Sequence, residues 1–333
     1  MTTERRRGSF ASDSLQGPAT NELDAMKRSF EERIQQLLSD NNDSSNGADL
    51  LSMSMRAATL GAGKRMRPLL LMVIARDLGC ASPALIDVAC AVELVHASSL
   101  VLDDMPCMDD ARLRRGAPAI HVTFGQDVAI LASISLLSRA FHILARAEDL
   151  APQVRTSLVT ALAAAVGTQG LAKGQFQDLH GGVARSVDDI ALTNELKTGA
   201  LLGATVDMAA IICQVDAGVA QSLRAFAFAA GQAFQIRDDL KDLPGNDSAV
   251  TGKDVGLDAG KATLLTTLGV DEAQRRLQLH LQEAERHLDD AVGAQQGTRR
   301  LLGSFFAGSK PLPGPAREPR MAAHATGAAA LGY

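Results

Sequence analysis

Two acidic clusters concentrate the chemistry of this chain: Asp103-Asp104-Met105-Pro106-Cys107-Met108-Asp109-Asp110 and Asp238-Asp239-Leu240-Lys241-Asp242. Each follows a long apolar, Ala-rich run that reads as a buried helix. Carboxylates at the inner end of such helices are costly unless something cationic sits between them. Mg²⁺ fits, a hard ion held by one or two carboxylates and completed by the oxygens of a substrate phosphate. Two such clusters facing each other, with Lys and Arg around them, describe a magnesium–diphosphate site.

The run before the first cluster, residues 88–102, puts His96, Ser99 and Asp103 at i, i+3 and i+7, on one helical face. Alone, His96 reads as a core histidine; below an acidic cluster it reads as cavity lining. Asp103 and Asp109 are six apart, a poor spacing for one regular helix. A break at Pro106, which lacks a backbone donor, lets both reach the same ions. Two other Asp pairs serve as controls. Asp188-Asp189 follows Ser186 as a helix start, and Asp289-Asp290 lies in a charged, solvated helix. In the second cluster Gln235, Asp238 or Asp239, and Asp242 share a face at spacings of three and four.

Cations complete the pattern. Lys64, Arg65 and Arg67 lie in the segment Gly61-Ala-Gly-Lys-Arg-Met-Arg-Pro68, where backbone amides and side chains can hold a phosphate. It is not a P-loop, because the spacing to Lys-Ser/Thr and the preceding strand are missing. Arg112, Arg114 and Arg115 follow the first acidic cluster. Lys197-Thr198 lies within a helix, and Lys253 and Lys261 follow the second cluster. Gly167, Gly170, Gly174 and Asp178 form a stripe at helical spacing beside Gln175. Each helical Gly costs about 1 kcal/mol, so the stripe implies close approach of a helix or a ligand.

The elements that must position these residues are helical. The 333 residues contain no Trp and one Tyr, and apolar spacings of three and four dominate over alternation. Helices are predicted near 21–38, 50–60, 68–78, 84–104, 126–147, 152–180, 188–213, 217–243, 260–268 and 271–293. No internal repeat is evident, so a solenoid is not expected. The fold class is all-α, a single large bundle. Residues 1–20 read as a disordered N-terminal segment, 21–308 as the functional domain, and 309–333, rich in Pro, as a flexible tail without catalytic role. A net charge of −5 argues against a nucleic-acid partner. Cys80, Cys90, Cys107 and Cys213 show no metal spacing and read as reduced, mostly buried thiols of a cytoplasmic protein. No apolar run is expected to reach the ~18 residues of a membrane span.

With these residues in hand, the chain resembles the trans-isoprenyl diphosphate synthases, and among them the bacterial geranylgeranyl diphosphate synthases of carotenoid pathways. The resemblance covers residues 50–305 through G-x-G-K-R-x-R-P, H-A-S-S-L-V-L-D-D-M-P-C-M-D-D-x-R-L-R-R-G-x-P, G-Q-F-x-D-L, K-T-G, F-Q-I-x-D-D-L-x-D and G-K-D…G-K-A-T. It implies a helical bundle around a deep central cavity, a homodimer, and Mg²⁺, three ions with the allylic substrate bound. Lys64, Arg67, His96 and Arg115 would hold isopentenyl diphosphate. Asp103, Asp109, Asp238 and Asp242 would bind the metal, with Asp104 and Asp239 close by. Arg114, Lys197, Thr198, Gln235, Lys253 and Lys261 would contact the allylic diphosphate (dimethylallyl, geranyl or farnesyl).

The implied reaction is a head-to-tail (1'-4) condensation. Cations stabilise the departing diphosphate, the double bond of isopentenyl diphosphate attacks the allylic cation, and a proton is lost to the leaving diphosphate. Ser98 and Ser99 occupy the family's chain-length positions. Both are small, and with the long loop 105–108 they point to a C20 product. The alternatives are a C15 farnesyl diphosphate synthase and a non-catalytic subunit, which would have lost site residues. A terpene cyclase would require a second metal motif that this chain lacks. Arg237 and Lys241 depart from the family pattern, either tuning the site or facing solvent.

Overall fold

The computed structural model describes residues 18–39, 49–182, 186–241 and 264–307. Asp242, Lys253, Lys261, residues 1–17 and the predicted tail lie outside the described residues, while residues 18–20, expected to be disordered, open the first helix. The elements run α1 (Pro18–Ser39), α2 (Leu50–Leu60), α3 (Met66–Asp77), α4 (Leu85–Asp103), β1 (Leu113–Arg114), β2 (Ala117–Pro118), α5 (Ile120–Phe124), α6 (Gln126–Ala145), α7 (Pro152–Val166) and α8 (Leu171–His180). They continue as α9 (Val187–Asn194), a π-helical turn (Glu195–Gly199), α10 (Ala200–Cys213), α11 (Ala217–Lys241), α12 (Leu264–Leu268), α13 (Val270–Val292) and α14 (Gly297–Phe306).

Helix α4 forms the middle of the bundle because its sequence is apolar on every side. Residues 88–95 are all buried, and α6, α3, α1, α10 and α2 pack around it. The second axis is α11, against which α13 lays an apolar stripe of Ala273, Leu277, Ala284, Leu288 and Ala291. The opposite face of α13 carries Asp289 and Asp290, exposed as expected. The predicted start at Ser186 is a full capping box: Ser186 Oγ accepts from Asp189 N at 3.1 Å, and the Ser186 backbone N–H donates to Asp189 Oδ2 at 3.2 Å.

Four further expectations are corrected. The helix expected over 152–180 is broken, since α7 ends at Val166 and α8 begins at Leu171. Gly170 sits at the break with φ −148° and ψ −128°, where a Cβ would overlap the backbone of Ala165. The weak strand signal hides a small hairpin, in which Leu113 pairs with Pro118 and Arg114 with Ala117. Among the cysteines Cys90 is buried, Cys80 and Cys213 are half-buried and Cys107 is exposed. Finally, α4, α6 and the segment Val187–Cys213 are each long and apolar enough to cross a membrane. The apolarity of α4 is what a central bundle helix requires, and two thirds of its span is buried within the fold.

Candidate active site

Helix α4 ends at Asp103, and the chain turns back on itself. The backbone N–H of Asp109 donates to the carbonyl of Asp103 at 3.0 Å, and that of Asp110 to Met105 at 3.1 Å. The break expected at Pro106 therefore brings Asp109 back against Asp103. Burial pushes the Asp103 carboxyl up to about 6; Lys197 and Arg114 oppose the shift, and Asp109 and Asp104 add to it. Asp104 is held differently. It is buried and gripped by Arg114, whose Nε donates to Oδ1 at 2.9 Å and to Oδ2 at 3.1 Å, with Nη2 on Oδ1 as well.

Arg114 and Arg115 are presented by the hairpin. Its turn places Arg115 at φ +55° and Gly116 at φ +79°, the pair of left-handed residues that a tight hairpin of type I′ demands. Arg115 Nη2 then lies 3.3 Å from His96 Nε2. Burial holds the imidazole well below its ordinary range, and Arg67, Arg115, Arg114 and Arg65 act in the same sense. His96 is thus a neutral hydrogen-bonding group inside a ring of guanidinium ions. Arg67 acts on the same imidazole. Its Nε is buried with no hydrogen-bond partner among the described residues, and burial, above all, lowers its pKa. Such a ring is built to receive an anion.

Beneath it lies a pair that the sequence reading missed. Arg65, at φ +50° before α3, donates from Nη1 to Glu93 Oε1 at 2.7 Å and from Nη2 to the carbonyl of Gly61 at 2.8 Å. Both side chains of the ion pair are only 4% exposed. The signal was present, since Glu93 is the single acid in the apolar run before His96, one turn away, and a buried acid needs a partner.

The two clusters are joined by the π turn. Lys197 Nζ donates to Asp178 Oδ2 at 2.6 Å and stands 3.9 Å from Asp109 Oδ2. Its neighbour Thr198 donates to Gln235 Oε1 at 3.3 Å, and Gln235 Nε2 donates to Asp239 Oδ1 at 2.8 Å. Asp238 is half exposed and accepts from Arg237 Nη2 at 3.0 Å. It also acts on Arg67 and Lys241, and Lys241 interacts with exposed Lys64. Arg237 does not face solvent, and through Asp238 it touches the second acidic cluster. It is buried, caps the Phe305 carbonyl at 2.6 Å and stacks between Phe234 and Phe306, with ring centroids 4.9 and 5.1 Å away.

The glycine stripe resolves into packing. A Cβ on Gly174 would fall 2.7 Å from the carbonyl carbon of Leu196 and closer still to Lys197 N. Gly174 therefore lets α8 lie directly against the backbone that carries Lys197. Gly174→Ala is expected to cost about 1–3 kcal/mol of stability, read as a lowered urea midpoint with an unchanged slope. Beside it, both amide atoms of Gln175 are buried without a partner among the described residues.

The chain-length positions part company. Ser98 faces α6, its Oγ 2.7 Å from Ser133 Oγ and donating to the Ser133 carbonyl at 3.0 Å. Ser99 remains half-buried on the face of His96 and Asp103, its Oγ donating to the His96 carbonyl at 2.9 Å.

Known proteins match this chain along most of its length. The polyprenyl synthetase family profile matches residues 48–295. The chain belongs to the polyprenyl synthetase family. It is 46% identical to the geranylgeranyl diphosphate synthase of Pantoea ananas over 261 residues, 78% of this chain and 85% of that relative. It is 39% identical to the farnesyl diphosphate synthase of Geobacillus stearothermophilus over 250 residues, 74% of this chain and 84% of that one. In three dimensions it resembles the Helicobacter pylori geranyltransferase solved with magnesium and isoprenyl diphosphate, with a TM-score of 0.77 at 26% identity, covering 89% of this chain and all of that one. The all-α bundle is thus that of a polyprenyl synthetase. The family's metal suits the donor set, as Asp103, Asp109 and Asp238 offer hard oxygens. Among the described residues no three His, Cys, Asp or Glu side chains come together to hold an ion alone.

Proposed function

We propose that this polyprenyl synthetase elongates an allylic diphosphate by isopentenyl diphosphate, in a Mg²⁺-dependent 1'-4 condensation giving the C20 product geranylgeranyl diphosphate. One observation carries the reading. Adjacent residues on a single π turn reach both acidic clusters, Lys197 toward Asp109 and Thr198 toward Gln235 and Asp239. A diphosphate lying there meets cations and metal-binding carboxylates on both sides.

In this reading Lys64, Arg67, His96 and Arg115 hold isopentenyl diphosphate, and neutral His96 donates a hydrogen bond rather than a charge. Arg114, Lys197, Thr198 and Gln235 hold the allylic diphosphate, with Lys253 and Lys261 assigned to the same group. Arg114 is oriented by Asp104, and Gln235 by Asp239. Asp103, Asp109, Asp238 and Asp242 are assigned to Mg²⁺, three ions with the allylic substrate bound. When bound, the metal supplies Lewis-acid stabilisation of the departing diphosphate. Lys197 and Arg114 neutralise the same developing charge from fixed positions, so little reorganisation is needed during bond cleavage. The departing diphosphate takes the final proton.

The test incubates the purified protein with Mg²⁺ and isopentenyl diphosphate plus farnesyl, geranyl or dimethylallyl diphosphate, and sizes the dephosphorylated alcohols. A dominant C20 alcohol supports the reading, a stalled C15 product replaces it with a farnesyl diphosphate synthase, and no elongation from any starter sinks it. Ser99 gives a sharper check. Because it lies on the site face while Ser98 is bonded to Ser133, Ser99→Phe should shorten the dominant product from C20 to C15 or less. Alcohol chain lengths report this directly.

We further propose a homodimer formed on α5 and α6. Val122, Ile130, Leu131 and Ile134 are exposed there, an apolar face of the kind that subunit contacts cover. Light scattering of the wild type and of Ile134→Glu tests it; a monomeric wild type ends the idea. A cytoplasmic location and a place in carotenoid supply follow from the same resemblance.

A further inference from the structure

The π turn is held from three sides. On one side α8 presses against it at Gly174. On another, α11 packs alongside at Gly231, where a Cβ would make ordinary contact at 3.6 Å with Gly199 Cα and Leu202 Cδ2. The third hold is Glu195, the first residue of the turn. Its side chain folds back over Gly199, with the carboxyl carbon 2.6 Å from where a Cβ would stand. The Gln232 amide, on a buried residue of α11, reaches the same carboxyl. Glu195 Oε2 is buried without a hydrogen-bond partner among the described residues, and burial raises the carboxyl above its ordinary range while Gln232 opposes this. A carboxyl oxygen so placed is costly, and the partner it meets, Gln232, is not among the groups assigned to substrate.

What it touches is the backbone register. The Ala200 N–H bonds to the Glu195 carbonyl, five residues back, and closes the π turn. A π turn is one residue inserted into an α-helix. Losing it would rotate the following side chains by about 100° relative to those before. Lys197 would leave Asp178 and Asp109, or Thr198 would leave Gln235.

We propose that Glu195 is the positioning residue of this site: its carboxyl, folded over Gly199 and met by Gln232, keeps the helix in its π register and so aims Lys197 and Thr198 at the allylic diphosphate. The inference rests on the function proposed above for Lys197 and Thr198, but its structural half does not depend on turnover.

The experiment compares Glu195→Ala, Glu195→Gln and Gly199→Ala with the wild type by steady-state kinetics in both substrates and by amide hydrogen exchange over residues 195–200. Glu195→Ala should raise the KM for the allylic diphosphate and lower kcat, each on the order of tenfold or more, since a misplacement near 1 Å has effects of this size. The KM for isopentenyl diphosphate, held by α3, α4 and the hairpin, should stay within about twofold. Exchange over the π turn should accelerate. Glu195→Gln keeps the shape and can still accept from Gln232, so it should restore both readouts.

Gly199→Ala leaves Glu195 intact but displaces its carboxyl. It should reproduce the same split, and it serves if Glu195→Ala does not fold. Wild-type kinetics and exchange in both Glu195→Ala and Gly199→Ala would overturn the proposal, as would equal rises in both KM values. A wild type that exchanges slowly here yet elongates no starter would overturn the functional reading alone.

Discussion

Asp103→Asn should lower turnover on the order of 10²–10³-fold at saturating Mg²⁺, the usual loss when one preorganised electrostatic partner of a transition state is removed. The substitution keeps shape and hydrogen-bonding capacity but removes the charge. Asp103 stands at the end of α4, with Asp109 folded beside it by the bond from Asp109 N to Asp103 O. Burial holds its carboxyl near 6, and Asp109 adds to that shift, so in the metal-free protein its negative charge is disfavoured. The sign of the stability effect follows. A carboxyl raised in the folded state contributes stability that is present below the unfolded value near 3.8 and lost as pH rises through about 6. At pH 7 in chelator, Asp103→Asn should therefore stabilise the fold, by about 1–2 kcal/mol. At pH 4 that advantage should vanish. Thermal melts at the two pH values, with kcat measured in parallel, check both halves. A variant both inactive and less stable at pH 7 would mean that the carboxylate is a structural partner, not a charge held for a cation.

Glu93→Gln should be the most destabilising of the single substitutions considered. Its carboxylate is the buried partner of Arg65 and also offsets Arg67 and Arg115. Removing one member of a buried ion pair costs about 3–5 kcal/mol, because the other charge is left without compensation. Here three guanidinium groups would feel the loss. Replacing both partners with apolar side chains should be much milder, so Arg65→Met with Glu93→Leu is expected to cost less than about 2 kcal/mol. Urea midpoints at constant slope separate the cases. If the double variant were as unstable as Glu93→Gln, the defect would lie in the left-handed backbone before α3 and not in the unpaired charge.

These residues also show how far the sequence could be read. The acidic clusters, the basic segment before α3, the break at Pro106 and the capping box at Ser186 were all legible. Each depends on a local rule: the cost of a buried carboxylate, the missing amide of proline, the reach of a serine hydroxyl. Glu93 was legible in principle, as an acid inside an apolar helix. The π turn was not, because the extra residue is held by contacts from Gly174 and Gly231, which come from two other helices. The break between α7 and α8 was masked by spacing: glycines at 167, 170 and 174 fit a helical period, while Gly170 actually occupies backbone that no regular helix uses. Arg237 was left between tuning the site and facing solvent, because nothing in its neighbourhood announces Phe305 and Phe306.

The last described helix has a practical consequence for anyone trimming this protein. Asp77, at the end of α3, accepts from both the N–H and the hydroxyl of Thr298 at 2.7 Å. At the other end of α14, the Phe305 carbonyl and the Phe306 ring clasp Arg237, one residue before Asp238. The short helix is thus a tie-bar between the helix that carries Arg67 and the helix that carries the second acidic cluster. The family profile stops at residue 295, so a minimal domain cut at that boundary would keep every assigned motif yet lose the strut that sets the spacing between two of them.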